Sequence, residues 1–161
     1  MSAAHAEGEV DLARVQEQVA QGELEEAIAA LAVADPRDAP ATLFLAYLER
    51  QRGRYDRSEA VLDRRIVIGL DDAETLLQRG YTRWSAGNLA GAASDLGRVA
   101  AGQGDAGVRA RAAAGRSDVE AQRLEMDAVA ARAETLDVAW TVGGLALAAV
   151  VALALWRARR P

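Results

Sequence analysis

Apolar residues fall at helical spacing along most of this chain, and the breaks between the helical runs recur. The pattern predicts helices at about 9–21, 24–34, 40–52, 56–68, 73–86 and 89–101. Three of the breaks share one signature. A glycine (Gly22, Gly53, Gly87) is followed two residues later by a large apolar residue (Leu24, Tyr55, Leu89). Five residues after the glycine comes a small residue (Ala27, Ser58, Ala92), and nine after it a leucine (Leu31, Leu62, Leu96). The glycines are 31 and 34 residues apart. This is the grammar of a helical hairpin. Glycine ends the first helix because it takes φ > 0 without steric cost. The small residue lets the second helix approach the first, and the leucine four later fills the core on the same face.

Beyond residue 101 the pattern changes. Glycines at 102, 104 and 107 predict a loose connection over 102–117 that includes a short capping helix near 106–114. Ser117 with Glu120 reads as a capping box that opens an amphipathic helix over 118–137, just as Asp71 with Glu74 reads as a start signal upstream. That helix carries Ala121, Leu124, Ala128 and Ala131 on one stripe and Met126, Val129, Ala133 and Leu136 on another. The uncharged run 138–156 then opens on Val138 and closes on Trp156, between Asp137 and Arg157. At about 1.5 Å per residue it matches a hydrocarbon core of about 30 Å, and Trp140 and Trp156 lie where interfacial aromatics belong. It reads as a transmembrane helix followed by a basic tail, 157–161. Gly144, Ala148 and Ala152 repeat every four residues, a spacing that permits helix pairing and self-association in a bilayer.

The repeat resembles the tetratricopeptide repeat (TPR), whose period is 34. The third copy matches best: Leu76 and Gly80 in the first helix, then Gly87, Leu89, Ala92 and Leu96. The second keeps Leu45, Ala46, Gly53, Tyr55, Ser58 and Leu62; the first keeps Leu12, Gly22, Leu24, Ala27, Leu31 and Ala34. Four residues depart from the family pattern. Arg79 replaces an apolar residue, Glu49 and Arg83 stand where tyrosine is usual, and Arg65 replaces a small residue. The resemblance covers 8–101 and implies an all-α, right-handed solenoid of about three hairpins, with residues 1–7 outside it. It also implies a groove lined by the first helices. Carried across by register, the groove positions are Leu43, Tyr47 and Arg50, then Leu77, Tyr81 and Trp84. Tyrosine, tryptophan and arginine are the types that dominate binding hot spots. The family's carboxylate clamp needs lysine and asparagine; lysine is absent and the single asparagine, Asn88, lies in a turn.

Composition narrows the chemistry. All 19 basic residues are arginine, which fits a GC-rich, bacterial genome, and a net charge of −5 argues against a nucleic-acid partner. Without cysteine there is no disulfide, thiolate metal site or cysteine nucleophile. His5 is the one histidine, and no H-E-x-x-H, G-x-S-x-G or Walker A sequence occurs. The G-x-G-x-x-G string at 102–107 follows a helix rather than a strand, so it is not a dinucleotide fingerprint. No metal, no cofactor and no catalysis are expected. Residues 1–36 hold eight acids and one arginine, whereas 37–68 hold seven arginines and five acids. Arg50, Arg52, Arg54 and Arg57 bracket the second turn, which reads as a solvated turn with acidic neighbours before it reads as an anion patch.

The expected function is a membrane-anchored scaffold that presents its groove to a peptide or partner domain. The alternative is a structural subunit of a membrane complex, held through the anchor helix. The terminal arginines favour a cytoplasmic C-terminus in a bacterial inner membrane, with the repeats outside the cytoplasm. Ala4-His5-Ala6 has the form of a signal-peptidase site, which suits that arrangement if a leader precedes Met1. A tail-anchored chain with cytoplasmic repeats is the other arrangement.

Overall fold

The structure is a computed structural model. It describes the chain at residues 10–102 and 104–158, with side chains through residue 133. Seven helices and no strand occur among the described residues: α1 (Leu12–Gln21), α2 (Leu24–Ala32), α3 (Ala39–Gln51), α4 (Tyr55–Val67), α5 (Ala73–Ser85), α6 (Leu89–Gly102) and α7 (Ala106–Ala158). The first six form the three expected hairpins, with ends within three residues of those predicted. Each repeat glycine sits in the left-handed region, at φ 83°, 71° and 80° for Gly22, Gly53 and Gly87. The N–H of Glu23 closes back on Gln18 O at 2.9 Å, and Arg54 and Asn88 repeat that bond to Glu49 O and Arg83 O. These turns satisfy carbonyls that a helix end would otherwise orphan.

Hairpin packing follows the small-residue register. Ala27, Ser58 and Ala92 are fully buried, as are Leu31, Leu62 and Leu96. A Cβ on Gly80 would stand 2.8 Å from both Cγ and Cδ2 of Leu96, so glycine there is what allows α5 and α6 to meet. One apolar cluster joins the first two hairpins around Val15, Leu31, Leu45 and Leu62. A second joins the third hairpin to α7 around Leu77, Leu96, Val108, Ala112 and Val119.

Two helix starts differ in detail from the sequence reading. The cap of α5 is Asp72, not Asp71: its carboxylate accepts from Thr75 N at 2.9 Å, while Asp71 pairs with Arg98 of α6. No helix opens at Ser117. Glu120 is taken by Arg116 one turn back, and α7 runs unbroken from Ala106 through the segments read as a capping helix, an amphipathic helix and an anchor. It starts at Asp105, whose side chain accepts from Val108 N. No Pro interrupts α7, and the glycine at 115 is tolerated inside it.

The chain divides into two compact units, residues 1–120 and 121–161. In the second, Leu124, Met126 and Val129 are exposed on α7. Among the described residues no helix is long and apolar enough to cross a membrane. The expected anchor at 138–156, with Gly144, Ala148 and Ala152, lies outside the residues whose side chains are described. Residues 1–9, with His5 and the Ala4–Ala6 site, and the tail 159–161 are also outside the described residues.

Candidate binding face

Helices α3 and α5 are the first helices of consecutive hairpins, and they share a face. On it Phe44 and Tyr47 stack at 6.4 Å between ring centroids, as expected for neighbours at i, i+3. Tyr81 and Trp84 repeat the arrangement one hairpin on, at 6.3 Å. Between the pairs lies Arg50. Its guanidinium carbon is 5.6 Å from the Tyr47 ring centroid and 5.7 Å from that of Tyr81, within cation–π range of both. Its Nη2 donates to Gln78 Oε1 at 3.3 Å, and Gln78 is in turn oriented by donating to Glu74 at 3.1 Å. Burial lowers the Arg50 pKa from its ordinary value, opposed by Tyr47 and Tyr81. Arginine nonetheless stays charged at neutral pH.

Of the six groove residues read from the sequence, four meet here: Tyr47, Arg50, Tyr81 and Trp84. Tyr47 is 43% exposed and the other three are half-buried. Leu43 is half-buried against the first core cluster. Leu77 is a correction. It is fully buried in the second cluster with Val108, Ala112 and Val119, because α7 packs over the third hairpin; it is a core residue and offers no surface. The same packing closes one end of the face. Tyr81 donates its hydroxyl to the Arg111 carbonyl of α7 at 3.2 Å, and a Cβ on Gly115 would stand 3.1 Å from the Tyr81 ring. Two contributors were not anticipated. Phe44 stands three residues before Tyr47 and could have been found by helical spacing. Gln78 reaches Arg50 across 28 residues and left no local signal.

The four departures from the repeat pattern are all paired. Arg79 binds Asp95 and Asp63, Arg83 binds Glu59 and Asp95, and Arg65 donates to Asp72, Thr75 and the Pro36 carbonyl. Glu49 lies 3.6 Å from Arg54. The turn arginines have a partner beyond those nearby in sequence: Arg52 and Arg54 both reach Glu25 on α2, so the acidic first hairpin and the basic second one attract. Among the described residues no group of three or more His, Asp or Glu is placed to hold a metal ion.

No protein-family model matches the sequence, nor does any curated protein. Solved structures do match in fold. PcrH in complex with the chaperone binding region of PopD is 21% identical, with 70% of this chain and 90% of that one covered and a TM-score of 0.59. PcrH from Pseudomonas aeruginosa gives 22%, coverage of 67% and 87%, and 0.58. The first TPR of Spaghetti (RPAP3), bound to the HSP90 peptide SRMEEVD, gives 18%, coverage of 70% and 88%, and 0.56. The chain therefore has a TPR-like fold.

Proposed function

We propose that this protein is a membrane-anchored interaction module, not an enzyme, and that the α3/α5 face docks a peptide segment of a partner protein. The observation that carries this reading is the cluster of Tyr47, Arg50, Tyr81 and Trp84, an arginine held among aromatic rings on a surface two hairpins wide. Tyrosine, tryptophan and arginine are the residue types enriched at binding hot spots. The fold neighbours support it by their ligands: PcrH was solved with a region of PopD and RPAP3 with an HSP90 peptide. The test is affinity capture from native membranes with the full chain. Tyr47→Ala and Trp84→Ala should each lose the partner, by about 2 kcal/mol or more. If both retain it while the protein stays folded, the face is not the docking site.

The anchor belongs to the same proposal. Residues 138–156 carry no charge, and the backbone of α7 continues through them to Ala158. Arg157, Arg159 and Arg160 favour a cytoplasmic C-terminus in a bacterial inner membrane, which would set the repeats outside the cytoplasm.

A further inference from the structure

Five arginines among the described residues are not fully exposed: Arg50, Arg54, Arg65, Arg79 and Arg83. Four of them are within ion-pairing distance of a carboxylate. Arg50 is the exception among the described residues. Its Nε is buried without a hydrogen-bond partner, its Nη2 has only the neutral Gln78 amide, and its charge is offset by two phenol rings. A partly desolvated cation with an unpartnered Nε carries a cost, and an anion that reaches it offsets part of that cost. The guanidinium is also already oriented, by Gln78 on one side and the stacked rings on the others, so little side-chain entropy remains to be lost.

We infer that Arg50 reads a carboxylate on the docked segment: the partner presents an Asp or Glu side chain to this guanidinium, flanked by apolar or aromatic residues that cover Tyr47 and Trp84. A side chain rather than a chain end is assigned because aromatic surface lies to both sides of Arg50, with Phe44 and Tyr47 on α3 and Tyr81 and Trp84 on α5. The segment therefore continues past the cation in both directions. This inference rests on the docking reading above and specifies its ligand.

The test uses the full chain and a displayed library of random twelve-residue peptides. Wild type should enrich peptides with one acidic residue between apolar or aromatic ones. For a selected peptide, replacing its acidic residue by the amide isostere should weaken binding roughly 30-fold or more to wild type. Arg50→Gln should bind the acidic and amide peptides equally, so that the preference for the acid is lost, while an unchanged thermal melt shows that the protein is still folded. Apolar peptides without acidic enrichment, or equal affinity of wild type for both peptides, overturn this inference while leaving the docking face standing. Selection of peptides whose free C-terminus is required also overturns it. If wild type selects no peptide, both readings fall.

Discussion

Asp95 on α6 grips Arg79 on α5 through both carboxylate oxygens, at 2.8 Å each. The acid is 2% exposed and also takes Arg83 at 2.9 Å. Removing this buried carboxylate breaks three charge-assisted bonds at once and leaves Arg79 with Asp63 and Arg83 with Glu59 as their remaining partners. Asp95→Ala should therefore destabilise the protein by about 3–5 kcal/mol. Urea melts of the 1–137 fragment measure this. A loss below about 1 kcal/mol would mean that solvent reaches the arginines freely.

The hairpin register makes a second, purely steric prediction. Ala92 and Leu96 are both fully buried. Ala92→Leu should overpack the third hairpin and cost about 1–3 kcal/mol, while Leu96→Ala should open a cavity and cost about 2–5 kcal/mol. Thermal melts unchanged by both would show that the register is wrong.

Acid should act through the cap of α5. Burial raises the Asp72 pKa, but hydrogen bonds from Thr75 N, the Arg65 guanidinium and the Thr75 hydroxyl outweigh it, and the net pKa is lowered. A depressed carboxylate pKa contributes stability above the unfolded value of about 3.9 and loses it as pH falls through the folded value. The melting temperature should accordingly drop as pH falls below about 4, and Asp72→Asn, which keeps a capping side chain, should flatten that drop. Identical acid profiles for the two proteins would remove Asp72 as the cause.

Anchoring predicts a partition. The full chain should stay with membranes after carbonate washing, and residues 1–137 should not. Protease added to spheroplasts should digest the repeats if they lie outside the cytoplasm. Full-length protein that remains in the aqueous fraction would remove the anchor, and protected repeats would reverse the orientation.

The hairpins were legible because glycine, small residue and leucine each answer to the backbone: one turn, one close approach, one filled core. The ionic side of the protein was not. Arg79, Arg83, Glu49 and Arg65 stood out only as departures, because their partners lie 5 to 29 residues away and packing, not spacing, brings them together. Leu77 was assigned to the groove for a related reason. Its register is that of Leu43, and only the packing of α7 on the third hairpin buries it. On the α3/α5 face, the tyrosines were visible by their period, whereas the bond from Arg50 to Gln78 was not.

Arg65 has a wider effect than its own hydrogen bonds. From α4 it holds the Pro36 carbonyl, in the link between the first and second hairpins, at 2.7 Å, and Asp72, at the entrance to the third, at 2.9 Å. Helical-repeat arrays usually lose their ends piecemeal, because each unit touches only its neighbours. Here one side chain clasps the seams on either side of the middle unit. The three hairpins should melt as a single block, and inserting or deleting a unit at either seam would unfasten the others.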